Sequence, residues 1–461
     1  MGAGKSTLGG KVAHRLHSEF FDVDLFVERE VGSSIPEFFE THGEAAFREV
    51  EEDVTSRLLE SSPRTVLSLG GGAVTSELLR AALRELAFTV WVDVDVETAW
   101  NRVQRTDRPL AQDEQTFRRL YEERLPLYRD VADARADDVD GVVLAAGGIR
   151  VETGALGWFG ELVPGDGPVA LVADRNVAGI YGMEAQLGLG SRQAAMHDVP
   201  AGEEAKTLHV LERLWRALRL ERGGTLVALG GGCTTDVAGF AAATYFRGVD
   251  WVAVPTTLVG QVDAAIGGKT AIDLPEGKNL VGAFHWPVRT VIDPALLETL
   301  PEAELLNGRA ELVKTGLLAG EPLWEHPLPE AVRRGAAFKT AVCLRDPHDR
   351  GERNQLNLGH TFAHALEAAA DFELPHGRAV ALGLLAALRL SGLDTAVVEE
   401  ELRPKPVRVD RDRAWAALAR DKKAAGGVPK LVLLDEVGSP RIGVELPEAD
   451  VRAALDSLIA G

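Results

Sequence analysis

Only two cysteines, Cys233 and Cys343, occur among 461 residues. That number builds neither a disulfide framework nor a cysteine-based zinc site. Long apolar runs are missing too: no stretch approaches the roughly 18 residues of a membrane-spanning helix, and no signal-peptide pattern stands out. Positive charge is in deficit, with 50 Lys and Arg against 70 Asp and Glu and a formal net charge of −20. Such a balance argues against nucleic acid or an anionic membrane as a partner. It leaves anionic small molecules open, provided that local lysine and arginine clusters overcome the overall field. Internal repeats and low-complexity tracts are also lacking. These gaps together predict a reducing, cytoplasmic setting.

What is present is an ordinary globular composition, 46% apolar and 26% charged, over a length that predicts roughly three domain-sized units. Residues 1–146 alternate buried strand-like runs ("RTVLSLGGG", "AFTVWVDVD") with amphipathic helical patterns, which implies a parallel α/β sheet. The Gly- and Pro-rich stretch around 145–168 marks a change of unit. Strand signals return at "PVALVAD", "GTLVALGGG" and "VDWVAVPTT", and from about 297 the pattern turns helical. The expected division is therefore a P-loop-like α/β domain over 1–146, a second α/β domain over 147–296, and a mostly helical domain over 297–461.

The chain opens on "MGAGKSTLGG". Gly4, Lys5 and Ser6 form the second half of a G-x-x-x-x-G-K-[ST] loop, where free N–H groups, the helix dipole and Lys5 favour a phosphate and Ser6 can ligate Mg²⁺. A Gly-rich helix start reads the same way. "FFDVD" sets Asp22 and Asp24 at alternate positions of a strand, facing one side, or is simply an acidic strand end. "GEAAFREVE" puts Arg48 on a helix, where an i,i+3 pair with Glu51 is the bland alternative. "LSLGGGAV" follows a buried strand with three glycines, so that backbone can approach a ligand closely. "RTDRPL" and "YEERLPLY" add Arg105, Arg108 and Arg124, residues of the kind that neutralise a transferring phosphate.

This order of five motifs resembles shikimate kinase. The resemblance implies transfer of the γ-phosphoryl group of ATP to shikimate. It assigns Gly2, Gly4, Lys5, Ser6 and Thr7 to phosphates and Mg²⁺, with Asp22 near the metal. Asp24, Arg48, Gly70, Gly71, Gly72 and Arg124 would hold shikimate, Asp24 would accept the proton of its hydroxyl, and Arg105 and Arg108 would sit by the nucleotide. In that family a methionine commonly precedes the Gly-x-Gly-Lys. Met1 is thus expected to be internal to the motif, with the first strand and half of the loop missing and the kinase half poorly active or unstable. Another small P-loop kinase, or a degenerate domain that only packs, competes with this reading.

Three of the eleven histidines fall in "HTFAHALEAAADFELPH". His360 and His364 are i,i+4 on a helical pattern, about 6 Å apart at Cβ, and His376 opens the next helix. Glu311 in "NGRAELVKTG" lies on another helix. Two or three histidines with one carboxylate match a catalytic divalent metal with an open position. Position 361 is Thr, so the base of an H-E-x-x-H protease is absent. "LVALGGGCTTDVAGF" runs a strand through three glycines into a helix, a dinucleotide phosphate site by mechanism or else a structural turn. "QVDAAIGGKT" and "PEGKNLVG" place Asp263, Lys269, Lys278 and Asn279 in Gly-rich loops.

The set from about 165 to 440 resembles 3-dehydroquinate synthase. The resemblance implies an NAD-binding domain, a helical metal domain, and conversion of the seven-carbon sugar-acid phosphate DAHP to 3-dehydroquinate through transient oxidation, phosphate loss, re-reduction and aldol closure. It assigns Glu311, His360 and His376 to Zn²⁺ or Co²⁺, and His364 to the substrate phosphate. Lys269, Asn279, Lys314, Lys339, Arg353 and Asn357 would surround substrate, with Arg247 reaching from a partner in a homodimer. Lys422 or Lys423 would close over it. Asp174, Asn176, Glu203, Lys206, Gly230, Gly231, Gly232, Asp236, Thr256, Thr257, Asp263 and Lys278 would line the NAD site. Asp273 stands where the family often has Asn. A glycerol-type alcohol dehydrogenase or a related sugar-phosphate cyclase shares the NAD-and-metal layout, so the expected protein is a fusion of two enzymes whose steps are not consecutive.

Overall fold

The structure is a computed structural model that describes residues 2–104, 113–192, 195–420 and 429–460. Two compact units divide the chain, Met1–Ala146 and Gly147–Gly461. Among the described residues, no helix is long and apolar enough to cross a membrane.

The first unit runs α1 (Lys5–Arg15), β1 (Phe20–Asp22), α2 (Val23–Val31), α3 (Ile35–Ser61), β2 (Val66–Ser68), α4 (Glu77–Leu86), β3 (Val90–Val92), α5 (Val96–Val103), α6 (Glu114–Val131), β4 (Ala134–Ala136) and α7 (Val139–Ala146). Side-chain oxygens cap several helix starts: Ser34, Ser76, Asp95 and Asp113 each accept a first-turn N–H, the usual way to satisfy an orphan donor. Strands β1 and β2 pair in parallel, and so do β3 and β4. No pairing joins β2 to β3 among the described residues. Between them lies a cavity of about 480 Å³, lined by Val66, Leu67, Val90, Val92, Val12 and Phe117 among others.

The second unit is built on one six-stranded sheet, all of whose pairings are parallel. Its strands are β5 (Ile149–Val151), β6 (Val169–Asp174), β7 (Ala195–Val199), β8 (Thr225–Gly230), β9 (Asp250–Pro255) and a strand at Arg289–Ile292. Between β9 and that strand comes a hairpin of β10 (Lys269–Leu274) and β11 (Gly277–Phe284), so the strand at 289–292 is β12; the sheet order is β5-β12-β9-β8-β6-β7. Alternate residues serve opposite faces. Leu226 and Ala228 of β8 pack into one apolar cluster with α9 (Leu208–Ala217) and α10 (Gly232–Thr244). Val227 and Leu229 pack into the other, with α8 (Arg175–Gly188). Burial on both faces is what a parallel sheet requires.

Beyond the sheet come α11 (Glu302–Ala319), α12 (Leu328–Arg345), α13 (His360–Ala369), α14 (His376–Ser391), α15 (Ala396–Glu401), α16 (Arg411–Arg420) and α17 (Glu448–Asp456). A hairpin of β13 (Leu431–Glu436) and β14 (Ser439–Val444) joins them around one core. The fold is thus mixed α/β with a helical C-terminal part. That part is mostly helical, as expected, with one β-hairpin, and two other sequence expectations need correction. Lys269, Lys278 and Asn279 lie in the strands of the β10–β11 hairpin rather than in loops. The strand at "FFDVD" stops at Asp22, which caps α2, so Asp24 sits in a helix's first turn.

Candidate active sites

In the second unit, Glu311, His360 and His376 each offer a ligand atom, and these atoms lie within 4.8 Å of one another. Three helices supply them. His376 Nε2 is 3.1 Å, and His360 Nε2 3.4 Å, from Glu311 Oε1. Close packing sets this geometry. Gly359, at φ +77°, precedes His360, and a Cβ there would fall 2.7 Å from the backbone N of Leu384 on α14. Gly377 meets α11 more closely still, with a Cβ there 2.3 Å from Asn307 Cα, and donates its N–H to Asn307 Oδ1 at 3.0 Å, tying the start of α14 one turn from Glu311.

Glu311 is fully buried. Burial pushes its carboxyl up, but Lys314 and the two histidines outweigh that and hold it well below the usual carboxylate range. Its Oε2 is ion-paired to Lys314 at an angle that makes no hydrogen bond. A buried carboxylate converging with two imidazoles fits a divalent cation. His364 is exposed, its ring 5.4 Å from that of His360, and it stands outside the ligand cluster.

Cations gather beside the cluster. Lys314 Nζ is 3.3 Å from Asp263 Oδ2, and Lys339 is ion-paired to the same carboxylate while donating to the Asp263 carbonyl at 2.7 Å. Asp263 sits in a π-helical turn, Gly260–Ala264, an irregularity frequent at functional sites. Buried Arg353 donates to Gly267 O at 2.8 Å. Lys269 is ion-paired to Asp349, which the sequence reading did not single out. Asn357 and Arg247 are exposed.

A second group forms at the C-terminal ends of β6, β8 and β9, where ligands bind in open α/β sheets. Asp174 caps α8, accepting the N–H groups of Asn176 and Val177 at 3.0 and 3.1 Å. Gly230 ends β8, and Gly231 starts α10 without any side-chain cap, which leaves the first turn's N–H groups for an anion such as a pyrophosphate. A Cβ on Gly232 would fall 2.9 Å from Ala264, and one on Gly231 3.0 Å from Thr257. Thr256 is buried next to them. Lys206 is buried against Asp236 at 2.7 Å and against Asn279. Glu203 pairs with Lys278 at 2.7 Å. Burial pushes Asp236 up to about 6 despite Lys206, and pushes the Cys233 thiol up to about 12, which removes it as a nucleophile at neutral pH. The structure groups Asn279 with this set rather than with Lys314 and Arg353. Asp273 accepts the Asn279 N–H at 2.7 Å.

In the first unit Gly4, at φ +81°, starts α1 with no side-chain cap, and Lys5, Ser6 and Thr7 form its first turn behind Gly2. Ser6 Oγ is 3.4 Å from Ser68 Oγ at the end of β2. The Asp22 carboxylate accepts the Asp24 N–H at 3.2 Å. Arg48 pairs with Glu51 at 2.5 Å and Glu44 at 3.0 Å. Glu51 is only 2% exposed, so this is not the solvated pair that spacing alone suggests; burial, ahead of Arg48's opposing pull, raises its pKa. A Cβ on Gly72 would lie 2.2 Å from Arg48 Nη2, and one on Gly70 3.2 Å from Asp24 Oδ1. Buried Arg124 and the Tyr128 hydroxyl both donate to Gly71 O, at 3.3 and 2.5 Å. The glycine turn, Asp24, Arg48 and Arg124 therefore share one site. Arg105, Arg108, Lys422 and Lys423 lie outside the described residues.

The comparisons with known proteins agree in both units. Residues 1–146 match the family model of shikimate kinase, 196–307 that of the 3-dehydroquinate synthase N-terminal part, and 308–423 that of its C-terminal part. A 3-dehydroquinate synthase from Latilactobacillus sakei is 39% identical over 312 residues, 62% of this chain and 88% of its own. A 2-deoxy-scyllo-inosose synthase, solved with carbaglucose-6-phosphate, NAD⁺ and Co²⁺, gives a TM-score of 0.61 at 25% identity, covering 67% of this chain and 96% of that one. A 2-epi-5-epi-valiolone synthase from Streptomyces hygroscopicus, with NAD⁺ and Zn²⁺ bound, gives 0.59 at 27% identity, covering 67% and 96%.

Proposed function

Because the chain belongs to the 3-dehydroquinate synthase family and carries a shikimate kinase domain over residues 1–146, we propose that it is a bifunctional shikimate-pathway enzyme. The second unit converts DAHP to 3-dehydroquinate and phosphate. The first phosphorylates shikimate with ATP and Mg²⁺. The observation that carries the synthase reading is the Glu311–His360–His376 cluster beside Lys314 and Asp263, in one unit with an uncapped glycine turn at the end of a parallel strand.

When bound, NAD⁺ and Zn²⁺ or Co²⁺ supply transient oxidation and polarisation of a substrate hydroxyl. The chain's own residues do the rest. Glu311, His360 and His376 hold the metal. Lys269, Lys314, Lys339, Arg353, Asn357 and His364 neutralise and orient the anionic substrate. The glycine turn at 230–232, with Asp174, Lys206 and Asp236, receives the dinucleotide. In the kinase domain, Asp24 orients and deprotonates the shikimate hydroxyl, and Arg48 and Arg124 grip its carboxylate beside the glycine turn at 70–72.

The working division is a kinase domain over 1–146, a dinucleotide domain over 147–296 and a metal domain over 297–461. The enzyme acts in the cytoplasm as a homodimer. Arg247 is exposed, and the family resemblance gives it the role of reaching a partner's site. The test is phosphate release from DAHP with catalytic NAD⁺. Release without net NADH, together with a 3-dehydroquinate product, supports the reading. Accumulating NADH would replace it with an alcohol dehydrogenase, and a different carbocycle with another sugar-phosphate cyclase. For the kinase domain, failure to bind ATP and shikimate in calorimetry would reduce it to a packing module.

A further inference from the structure

We propose that Glu367 is a positioning residue for the metal centre: it holds the His376 ring so that Nε2, and not Nδ1, faces Glu311 and His360. This inference rests on the metal reading above. Glu367 lies two turns beyond His360 on α13 and is 8% exposed. Its Oε1 is 3.1 Å from His376 Nδ1, while His376 Nε2 is 3.1 Å from Glu311 Oε1. Two carboxylates therefore bracket one imidazole at opposite edges.

A metal ligand needs a free lone pair on the nitrogen it offers, so Nε2 must be unprotonated and Nδ1 must carry the proton. That proton needs an acceptor, and Glu367 is the group in reach. The two histidines differ in how they are held. The His360 side chain is 10% exposed and its Nδ1 lies 3.2 Å from Leu358 O, a neutral backbone acceptor. The His376 side chain is 37% exposed, at the first position of a helix that has no side-chain cap. Burial restrains the first ring; Glu367 restrains the second. A carboxylate in this place also makes Nε2 a stronger donor. Glu367 is not itself a ligand, because its oxygen contacts the ring edge remote from Glu311.

The test uses the demetallated full-length protein titrated with Co²⁺ and read by the visible absorption of the bound ion and by competition with a chelator. Glu367→Gln keeps a carbonyl acceptor without charge and should weaken Co²⁺ about 10-fold; Glu367→Ala removes the acceptor and should weaken it about 100-fold. NAD⁺ affinity should not move, and Glu367→Gln should hold the melting temperature of the metal-free protein closer to the wild type than Glu367→Ala does. Wild-type Co²⁺ affinity in both variants would overturn the proposal, as would weakening that tracks an equal loss of NAD⁺ binding and of melting temperature. His376→Ala is the control. If it too binds Co²⁺ like the wild type, the metal reading itself has failed rather than the role of Glu367.

Discussion

The two units solve the same problem, a phosphate site at the end of a parallel strand, with sheets of different completeness. In the synthase unit β8 pairs with β6 on one side and β9 on the other, and every residue from Thr225 to Gly230 is buried. In the kinase unit the strands are three residues long, come in two pairs, and face each other across an apolar cavity. The glycine turn of the first is lined by small side chains, Thr234, Thr257 and Ala264; that of the second leans on charged ones, Arg48, Glu51 and Arg124. A strand paired on both sides under one site and separate strand pairs under the other should give different responses to mutation and to ligand.

The largest expected effect separates the two chemistries. His360→Ala removes a metal ligand and should lower 3-dehydroquinate formation by about 10³-fold or more, leaving shikimate phosphorylation unchanged when both are assayed on one preparation. Next, matched truncations probe the sheets. Leu226→Ala, in the middle of β8, should destabilise the synthase unit by about 2–5 kcal/mol. Leu67→Ala, beside a space that already exists, should cost about half as much or less. Two calorimetric transitions, the kinase unit melting first, would report the pair. Equal costs would break the comparison.

Asp24→Asn should lower kcat for shikimate phosphorylation about 10²-fold, the low end for a removed general base, with no change in DAHP turnover. Smallest is a ligand effect. NAD⁺ at about 100 times its Kd should stabilise the synthase transition by about 2.7 kcal/mol and leave the kinase transition where it was.

Much of this was legible in the sequence because glycines after a strand and histidines clustered on helices leave a distinct pattern. The turns at 70–72 and 230–232 follow from strand-to-helix patterns; i,i+4 spacing alone pairs His360 with His364, which lies outside the cluster, and it is the resemblance to 3-dehydroquinate synthase that selects Glu311, His360 and His376. The hairpin at 269–284 was not legible: "PEGKN" has turn chemistry, and much of β11 is exposed, so no alternation marks it as a strand. The strand through Asp24 failed because Asp22 is a better helix cap than a strand residue. Glu51 and Glu367 were hidden because spacing shows that a carboxylate is on a helix but not that it is buried. For Glu367 the available signal was its position seven residues after His360, on the same face of the helix.

The central claim is that Glu311, His360 and His376 form a metal site on which DAHP chemistry depends. The most direct measurement is phosphate release from DAHP by the full-length protein before chelation, after complete demetallation, and after repletion with Zn²⁺ or Co²⁺. Turnover should be lost on demetallation and return with either ion, while ATP-dependent shikimate phosphorylation in Mg²⁺ stays constant throughout. Full DAHP turnover by the fully demetallated protein would contradict it.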